Sequence, residues 1–289
     1  MALKSGDVDL AENITTASDL EELKGNPEYY VSTTAGVRLG NSYFNYNGVL
    51  ANDALRQAIQ YAIDDETMCS VTVGGMYTAG SSVLPSSLPY GYEQLTDPYA
   101  YDLDKATAVL DEAGIVDTDG DGYRELDGEN INLNYIAYSS RNLDEFAQAV
   151  AITLESIGIG CSVTVQDYDT ALANQSAGRF DLITSNAIVV PTGDPTGFLG
   201  NFYSGNSGTY GYYANDEYDA LYEQLLTATD EDQRLELIIE MQQILIDDAA
   251  TLVHGYYNST FASRADAVSG ADITPIDYYW ITTDIHSAR

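Results

Sequence analysis

The chain has 289 residues, of which 45 are acidic and 11 are basic, so its formal net charge is -34 at pH 7. A surface with this charge repels phosphate backbones and anionic lipid headgroups, which argues against binding to nucleic acid or directly to a membrane. Apolar residues make up 45% of the chain, as expected of a folded protein, and its length favours two domains over one.

The first predicted elements are short strands and one short helix, interrupted by Gly25, Pro27, Gly36 and Gly48. A helix is then predicted over NDALRQAIQYAIDDETMCSVT, with Asn52 or Asp53 as its N-cap. The segment GGMYTAGSSVLPSSLPYGYEQLTDPYAYD follows, and it is long for a connection, which points to a functional loop.

The next predicted helix, DLDKATAVLDEAG, has Asp102 as its cap and Gly114 as its end. Its predicted inward face consists of Ala106, Val109, Leu110 and Ala113.

The acidic stretch DTDGDG after this helix has the aspartate spacing of an EF-hand calcium loop at Asp117, Asp119 and Asp121. An EF-hand loop ends in a glutamate at its twelfth position and continues into a helix. Here that position is Gly128 and a strand pattern follows, so a turn that uses Gly120 and Gly122 is the favoured interpretation. Weak cation binding by the aspartates stays open.

The second half of the chain alternates strands and helices. INLNYIAY and CSVTV are predicted strands, and NLDEFAQAVAITLESIG between them is a helix, so the two strands are expected to be parallel. The apolar face of this helix is Phe146, Val150, Leu154 and Ile157. A short helix, the strand RFDLITSNAIVV, two amphipathic helices and the strand TLVHGYYNSTFAS complete an α/β pattern.

Cys69 lies in a helical pattern and Cys161 opens a strand, so both are expected to be small buried side chains, although one bridge between them stays open. The chain has no apolar run long enough to span a membrane. Its start, MALKSGDVDLAENITT, lacks the basic and apolar segments of a signal peptide, so none is expected here.

The sequence contains no pattern that predicts catalysis or a cofactor. Of the two histidines, His254 lies in a strand pattern, where a core role is expected, and His286 is close to the C-terminus. Motifs for serine hydrolases, zinc proteases, phosphate loops and dinucleotide binding are absent, so we expect no enzyme. Tyrosines in loops favour a polar organic ligand held in a cleft, although they equally suit core edges: Tyr90, Tyr92, Tyr99, Tyr203, Tyr210, Tyr212 and Tyr213.

The order of segments resembles the extracytoplasmic solute-binding proteins of ABC importers, in the peptide/nickel family (family 5). The resemblance runs from GDVDL to DYYWITTDI, and it rests on FNYNGVLANDALRQAIQYAIDDE, LPYGYEQLTDPYAYDLDKATAVLDEAGIVDTDGDG, IGIGCSVTVQDYDTALANQSAGRFDL, GDPTGFLGNFYSG and YANDEYDALYEQLLTATDEDQRLELIIEMQQILIDDAA. Members are commonly almost twice as long, and this chain resembles their C-terminal half.

The resemblance implies a type II periplasmic-binding-protein lobe, with a mixed sheet flanked by helices, plus part of the other lobe. Residues 1–47 are expected in lobe I, 48–257 in lobe II and 258–289 back in lobe I, with crossings near 46–48 and 257–259. It also implies a monomer outside the cytoplasm, periplasmic or lipid-anchored at the cell surface, with an ABC permease and ATPase as partners. A chemosensory or adhesin-like binding module is the alternative from another class.

The resemblance leaves the ligand open between short peptides and nickel or a metal chelate. In the peptide branch an acid before the Asp-Pro pair holds the ligand's amino group, but that position is Pro191 here. Asp194 either substitutes for that acid or caps the following turn. In the nickel branch an aromatic precedes the pair and a histidine follows; here Gly193 precedes it and no histidine lies in 197–213. The predicted ligand-binding residues are Asn186, Val190, Pro191, Thr192, Asp194, Tyr90, Tyr203 and Tyr213.

Overall fold

The computed structural model describes residues 1–206, 210–276 and 281–288. Within these ranges the helices are α1 (Ala2–Ser5), α2 (Ala17–Lys24), α3 (Asp53–Ala62), α4 (Asp65–Thr67), α5 (Leu103–Glu112), α6 (Leu143–Ser156), α7 (Tyr168–Ser176), α8 (Thr196–Leu199), α9 (Asp216–Thr227) and α10 (Glu231–Asp247). The strands are β1 (Leu10–Glu12), β2 (Tyr29–Phe44), β3 (Tyr77–Thr78), β4 (Glu125–Leu126), β5 (Glu129–Asn130), β6 (Asn132–Tyr138), β7 (Gly160–Gln166), β8 (Leu182–Ile188), β9 (Thr251–Arg264), β10 (Val268–Ser269) and β11 (His286–Ser287).

Seven strands form one mixed sheet in the order β1-β9-β2-β8-β6-β7, with β3 paired to β9. The predicted crossover is confirmed, because β6 and β7 are parallel and α6 connects them. Strand β8 is also parallel to β6, whereas β2 is antiparallel to both β8 and β9. The carboxyl ends of β6, β7 and β8 therefore meet at one edge of the sheet.

Two apolar cores lie on opposite faces of this sheet. On β6, Tyr135 packs into the core formed with α3, α5 and α6, and its neighbour Ile136 packs into the core formed with α9 and α10. This alternation follows from the two-residue period of a strand. The predicted face of α6 is confirmed, since Phe146, Val150 and Leu154 are fully buried. The result is a mixed sheet flanked by helices, as expected.

The predicted helix caps are confirmed, and one helix boundary is corrected. Asn52 accepts a hydrogen bond from the Leu55 N–H, and Asp102 accepts one from the Lys105 N–H. The single helix predicted from Asn52 to Thr72 is wrong, because α3 ends at Ala62 and the backbone of Ile63 is extended. Asp64 then caps the Thr67 N–H and begins the next turn, and this local bond competes with continuation of α3.

A smaller correction concerns α5. Ala106 and Leu110 are buried as predicted, but Ala113 is exposed because α5 has already ended at Glu112. Gly114 follows with a φ of +76°, the left-handed conformation expected at a helix end.

The acidic stretch is a turn, as predicted. Gly120 and Gly122 have φ values of +84° and +95°, and the Asp117 carboxylate accepts hydrogen bonds from both of their N–H groups. These bonds lower the pKa of Asp117. The hairpin β4–β5 follows it, not a helix. Carboxylate oxygens of Asp117, Asp119 and Glu125 lie within 4.8 Å of one another, and cation binding there stays untested.

Cys69 and Cys161 are both buried free thiols, which confirms the interpretation of both as small buried side chains.

Among the described helices, none combines the length and the apolar character that a bilayer crossing requires.

The pairing of β2 with β9 shifts register twice, between Thr34 and Arg38 and between Gly40 and Asn41, and the first shift is the wider. Tyr29 to Thr34 pair with one end of β9 and Arg38 to Tyr43 with the other, and the register shifts between Thr34 and Arg38. Gly36 lies in this gap, where a Cβ atom would stand 2.1 Å from the Tyr257 carbonyl oxygen. The division of the chain at 47 and 257 into parts of two lobes stays a prediction.

Candidate functional site

A pocket of about 380 Å³ lies at the edge where the three parallel strands end. Its walls are residues 138–141 after β6, residues 166–168 after β7, and Asn186 near the end of β8. Ligands of open α/β sheets bind outside the carboxyl ends of the strands, which is where this pocket opens. The structure therefore places one predicted site residue, Asn186, in a pocket of the expected kind.

The side chain of Asn186 is held from both sides. Its Oδ1 accepts a hydrogen bond from Arg38 Nη1 at 3.4 Å, and its Nδ2 donates to the Tyr77 hydroxyl at 3.1 Å. That hydroxyl in turn donates to the Arg141 carbonyl oxygen at 2.7 Å. Arg38 comes from β2 and Tyr77 from β3, so elements far apart in sequence fix the orientation of one amide.

Arg141 and Asn142 have φ values of 49° and 59°. The left-handed region is unfavourable for residues other than glycine, and such strain concentrates at functional sites. The Arg141 guanidinium carbon lies 5.5 Å from the centre of the Tyr257 ring. Within the described parts of the chain, Arg141 forms no salt bridge, and its buried Nε has no hydrogen-bond partner. A guanidinium can bind a carboxylate in a bidentate manner.

An aromatic pair forms another wall of the pocket. The rings of Tyr138 and Tyr168 meet edge to face at 5.3 Å, and the Tyr168 side chain is exposed. Burial raises the pKa of Tyr138 to about 12, so its hydroxyl stays protonated at neutral pH. Tyr138, Arg141 and Tyr168 are not among the residues predicted from the sequence. The signal that points to them is their position at the carboxyl ends of two strands that the sequence already indicates as parallel.

The other loop residues form a second group. Asp194 accepts a hydrogen bond from the Thr196 N–H and forms a salt bridge with Arg234 at 2.6 Å. Of the two roles predicted for Asp194, the structure confirms that it caps the turn that follows it. Burial opposes a lower pKa of Asp194, but the bonds from Thr196 and Arg234 outweigh it. Tyr90 donates to the Gly193 carbonyl oxygen at 2.7 Å. Tyr90 and Asp194 line one further pocket of about 380 Å³.

The remaining predicted residues are dispersed. Val190 is buried, whereas Pro191 and Thr192 are exposed. Tyr213 is buried and donates to the Asp248 carboxylate at 2.6 Å, and Tyr203 donates to the Glu223 carboxylate at 2.9 Å. None of these five lines the pocket beside Asn186. A ligand contact by each of the selected residues stays a prediction.

His254 is fully buried in β9, as predicted for a core residue. Its Nε2 is 2.8 Å from the Ser42 hydroxyl and 3.3 Å from the Tyr135 hydroxyl, and its ring stacks on Phe146. Within the described residues its Nδ1 has no partner. Burial lowers the pKa of His254 from 6.5 to about 3, so the ring is neutral in the folded chain at physiological pH.

This lowered pKa predicts a pH dependence of stability. Between about pH 3 and 6.5 the unfolded chain binds a proton at His254 that the folded chain excludes, so stability falls as pH decreases through this window. We expect His254→Gln to reduce the slope of the unfolding free energy against pH by up to about 1.4 kcal/mol per pH unit. Urea titrations from pH 4 to 7 measure the slope. His286→Gln removes an exposed histidine as the control, and an equal slope change in both variants contradicts the prediction.

The chain matches the family model described as bacterial extracellular solute-binding proteins, family 5 Middle, over residues 1–210. It is 25% identical over 278 residues to the nickel-binding periplasmic protein of Escherichia coli (strain K12), covering 92% of this chain and 52% of that protein. It is 25% identical over 233 residues to the dipeptide-binding protein DppE of Bacillus subtilis (strain 168), covering 78% and 41%. The chain thus spans about half the length of the curated relatives it matches.

Solved structures show the same fold. The crystal structure of NikA from Brucella suis in complex with Fe(III)-EDTA has a TM-score of 0.87 at 22% identity, covering 99% of this chain and 59% of that one. DppA from Helicobacter pylori in complex with the peptide STSA has a TM-score of 0.82 at 22% identity, covering 100% and 54%. These similarities confirm the type II periplasmic-binding-protein fold. With a family model matched over residues 1–210, the chain belongs to the bacterial extracellular solute-binding proteins of family 5.

Proposed function

We propose that this chain is the ligand-binding part of an extracytoplasmic solute-binding protein that captures short peptides for an ABC importer. The observation that carries the proposal is Arg141, which lines the pocket and whose guanidinium forms no salt bridge with the described residues. In a chain with 45 acidic residues and 11 basic ones, carboxylate partners are abundant. A guanidinium that pairs with none of the described ones, not even with Asp167 of the same pocket, is suited to a carboxylate supplied by the ligand.

The rest of the pocket suits a peptide. Asn186 offers an oriented amide, and Tyr138 and Tyr168 offer aromatic faces with hydroxyl groups. In this proposal the pocket forms one side of a cleft, and the rest of the parent protein contributes the opposing lobe. A ligand that contacts both lobes favours the closed state, which the permease and its ATPase then receive. The proposed location is outside the cytoplasm, with a lipid anchor or in the periplasm.

A metal chelate is the second candidate. The nickel-binding relative from Escherichia coli favours it, and a chelator that carries carboxylates satisfies Arg141 equally well. Direct coordination by His254 is disfavoured, because this histidine is fully buried and its Nε2 is bonded to Ser42. In this alternative the metal is cargo, and its ligands come from the chelator or from the rest of the parent protein.

Native mass spectrometry of the full-length parent, purified under non-denaturing conditions from rich medium, tests the proposal. A heterogeneous set of bound masses that correspond to short peptides is the expected result. A single bound species with the isotope pattern of nickel or cobalt establishes the chelate alternative instead. A protein that carries neither, and that binds no peptide added afterwards, contradicts both.

A further inference from the structure

Tyr77 is a buried tyrosine that connects the two polar walls of the pocket. Its hydroxyl donates to the Arg141 carbonyl oxygen at 2.7 Å and accepts from Asn186 Nδ2 at 3.1 Å. Burial raises the pKa of Tyr77 well above its ordinary value, so the hydroxyl keeps the proton that it donates. Tyr77 does not line the pocket itself, and its contact with a ligand is indirect.

The position of this hydroxyl is fixed by the packing of the ring. The ring meets Phe146 edge to face at 4.9 Å and Tyr257 edge to face at 5.2 Å. Gly40 on β2 leaves the space for it, since a Cβ atom there would stand 2.7 Å from the Tyr77 ring. This close packing restricts the movement of the Tyr77 ring, so the position of its hydroxyl is fixed relative to the loop after β6.

The Tyr77 hydroxyl and the Tyr257 ring that packs on Tyr77 both contact Arg141. The hydrogen bond holds the carbonyl of a residue whose φ of 49° is unfavourable, and the Tyr257 ring that packs on Tyr77 also faces the Arg141 guanidinium. Strained residues persist only where surrounding contacts determine their conformation. Without the Tyr77 hydroxyl, the loop after β6 loses a bond that fixes its backbone.

We propose that Tyr77 is a positioning residue for the ligand site: its hydroxyl holds the Arg141 backbone and the Asn186 amide so that both residues keep their places at the pocket wall. This inference rests on the proposed function, because it assigns to Tyr77 a role that acts through Arg141.

The first test needs no ligand. Tyr77→Phe removes the hydroxyl alone, and Tyr218→Phe is the matched control, because Tyr218 is also fully buried and donates to a backbone oxygen, that of Leu199, at 2.8 Å. The readout is the NMR resonance of the Arg141 Nε–H, assigned by its loss in Arg141→Lys. We expect Tyr77→Phe to shift this resonance and to accelerate its hydrogen exchange roughly tenfold, in line with the loss of one hydrogen bond. Tyr218→Phe leaves both unchanged. An unchanged Arg141 resonance in Tyr77→Phe overturns the inference.

The second test separates the inference from the proposed function. Affinities of the full-length parent for trialanine and for the nickel(II)–histidine complex are measured by calorimetry in Tyr77→Phe, Arg141→Gln and the double variant. We expect a roughly tenfold loss in Tyr77→Phe and no additional loss from it once Arg141 is replaced. A loss in Arg141→Gln without one in Tyr77→Phe refutes only the positioning role. Unchanged affinity in Arg141→Gln, with a probe that the parent binds, refutes the proposed site.

Discussion

Replacing Arg141 with glutamine is expected to weaken the binding of a carboxylate ligand by roughly 10- to 100-fold, since a hydrogen bond to a charged group contributes about 1.5–3 kcal/mol. Arg141 lines the pocket and its guanidinium forms no salt bridge within the described ranges, so under the proposed function its removal leaves the ligand carboxylate without that cation. Glutamine keeps a polar side chain but loses the charge and the planar pair of donors. Calorimetric titration of the full-length parent with trialanine measures the change.

Two controls make this result specific. Arg264→Gln removes an arginine that lies at the end of β9 and pairs with Asp266, so affinity is expected to stay unchanged. Trialanine amide replaces the ligand carboxylate by a neutral group, so the parent should bind it more weakly, and Arg141→Gln should no longer distinguish acid from amide. If Arg141→Gln prefers the acid as strongly as the parent does, Arg141 is not the carboxylate partner.

Replacing Arg56 with methionine is expected to lower the free energy of unfolding by about 3 kcal/mol, within the range for removal of one partner from a buried polar network. Arg56 is only 4% exposed, and its guanidinium donates to the Leu50 carbonyl oxygen at 2.8 Å and to the Asp248 carbonyl oxygen at 3.3 Å. It also lies over the Tyr46 ring at 4.4 Å. Methionine preserves much of the apolar volume but leaves both carbonyl groups without these donors.

Urea unfolding of the two proteins measures this difference. The control is Lys24→Met, which removes an exposed cation that pairs with Glu21 three residues away, and a change within about 0.5 kcal/mol is expected there. The salt bridge of Arg56 to Asp53 contributes little to the expected loss, because the Asp53 side chain is 77% exposed. A loss for Arg56→Met as small as that for Lys24→Met means that water replaces the guanidinium at these carbonyl groups.

Local features of the sequence determined most of the secondary structure. The caps at Asn52 and Asp102 and the turn at Gly120 and Gly122 depend on bonds within a few residues, so the local sequence is enough to predict them. The buried face of α6 follows from apolar periodicity, and the parallel pair β6–β7 follows from the length of its crossover. The sequence does not predict the helix break at Ile63, because the apolar pattern continues across it while the Asp64 side chain begins a new turn.

The site depended on the tertiary structure to a much greater extent. The end of a predicted strand places Asn186 at the edge of the sheet without further information, and the structure has it in a pocket there, while its contact with a ligand stays a prediction. Only its position after a predicted parallel strand points to Arg141, since one arginine in a polar loop has no periodicity or motif. Its surroundings form only when β3 and β9, which are distant in the chain, bring Tyr77 and Tyr257 to it, while β2 brings Arg38 to Asn186. Pairings over such separations are set by how side chains fill the shared core, and a local pattern does not encode them.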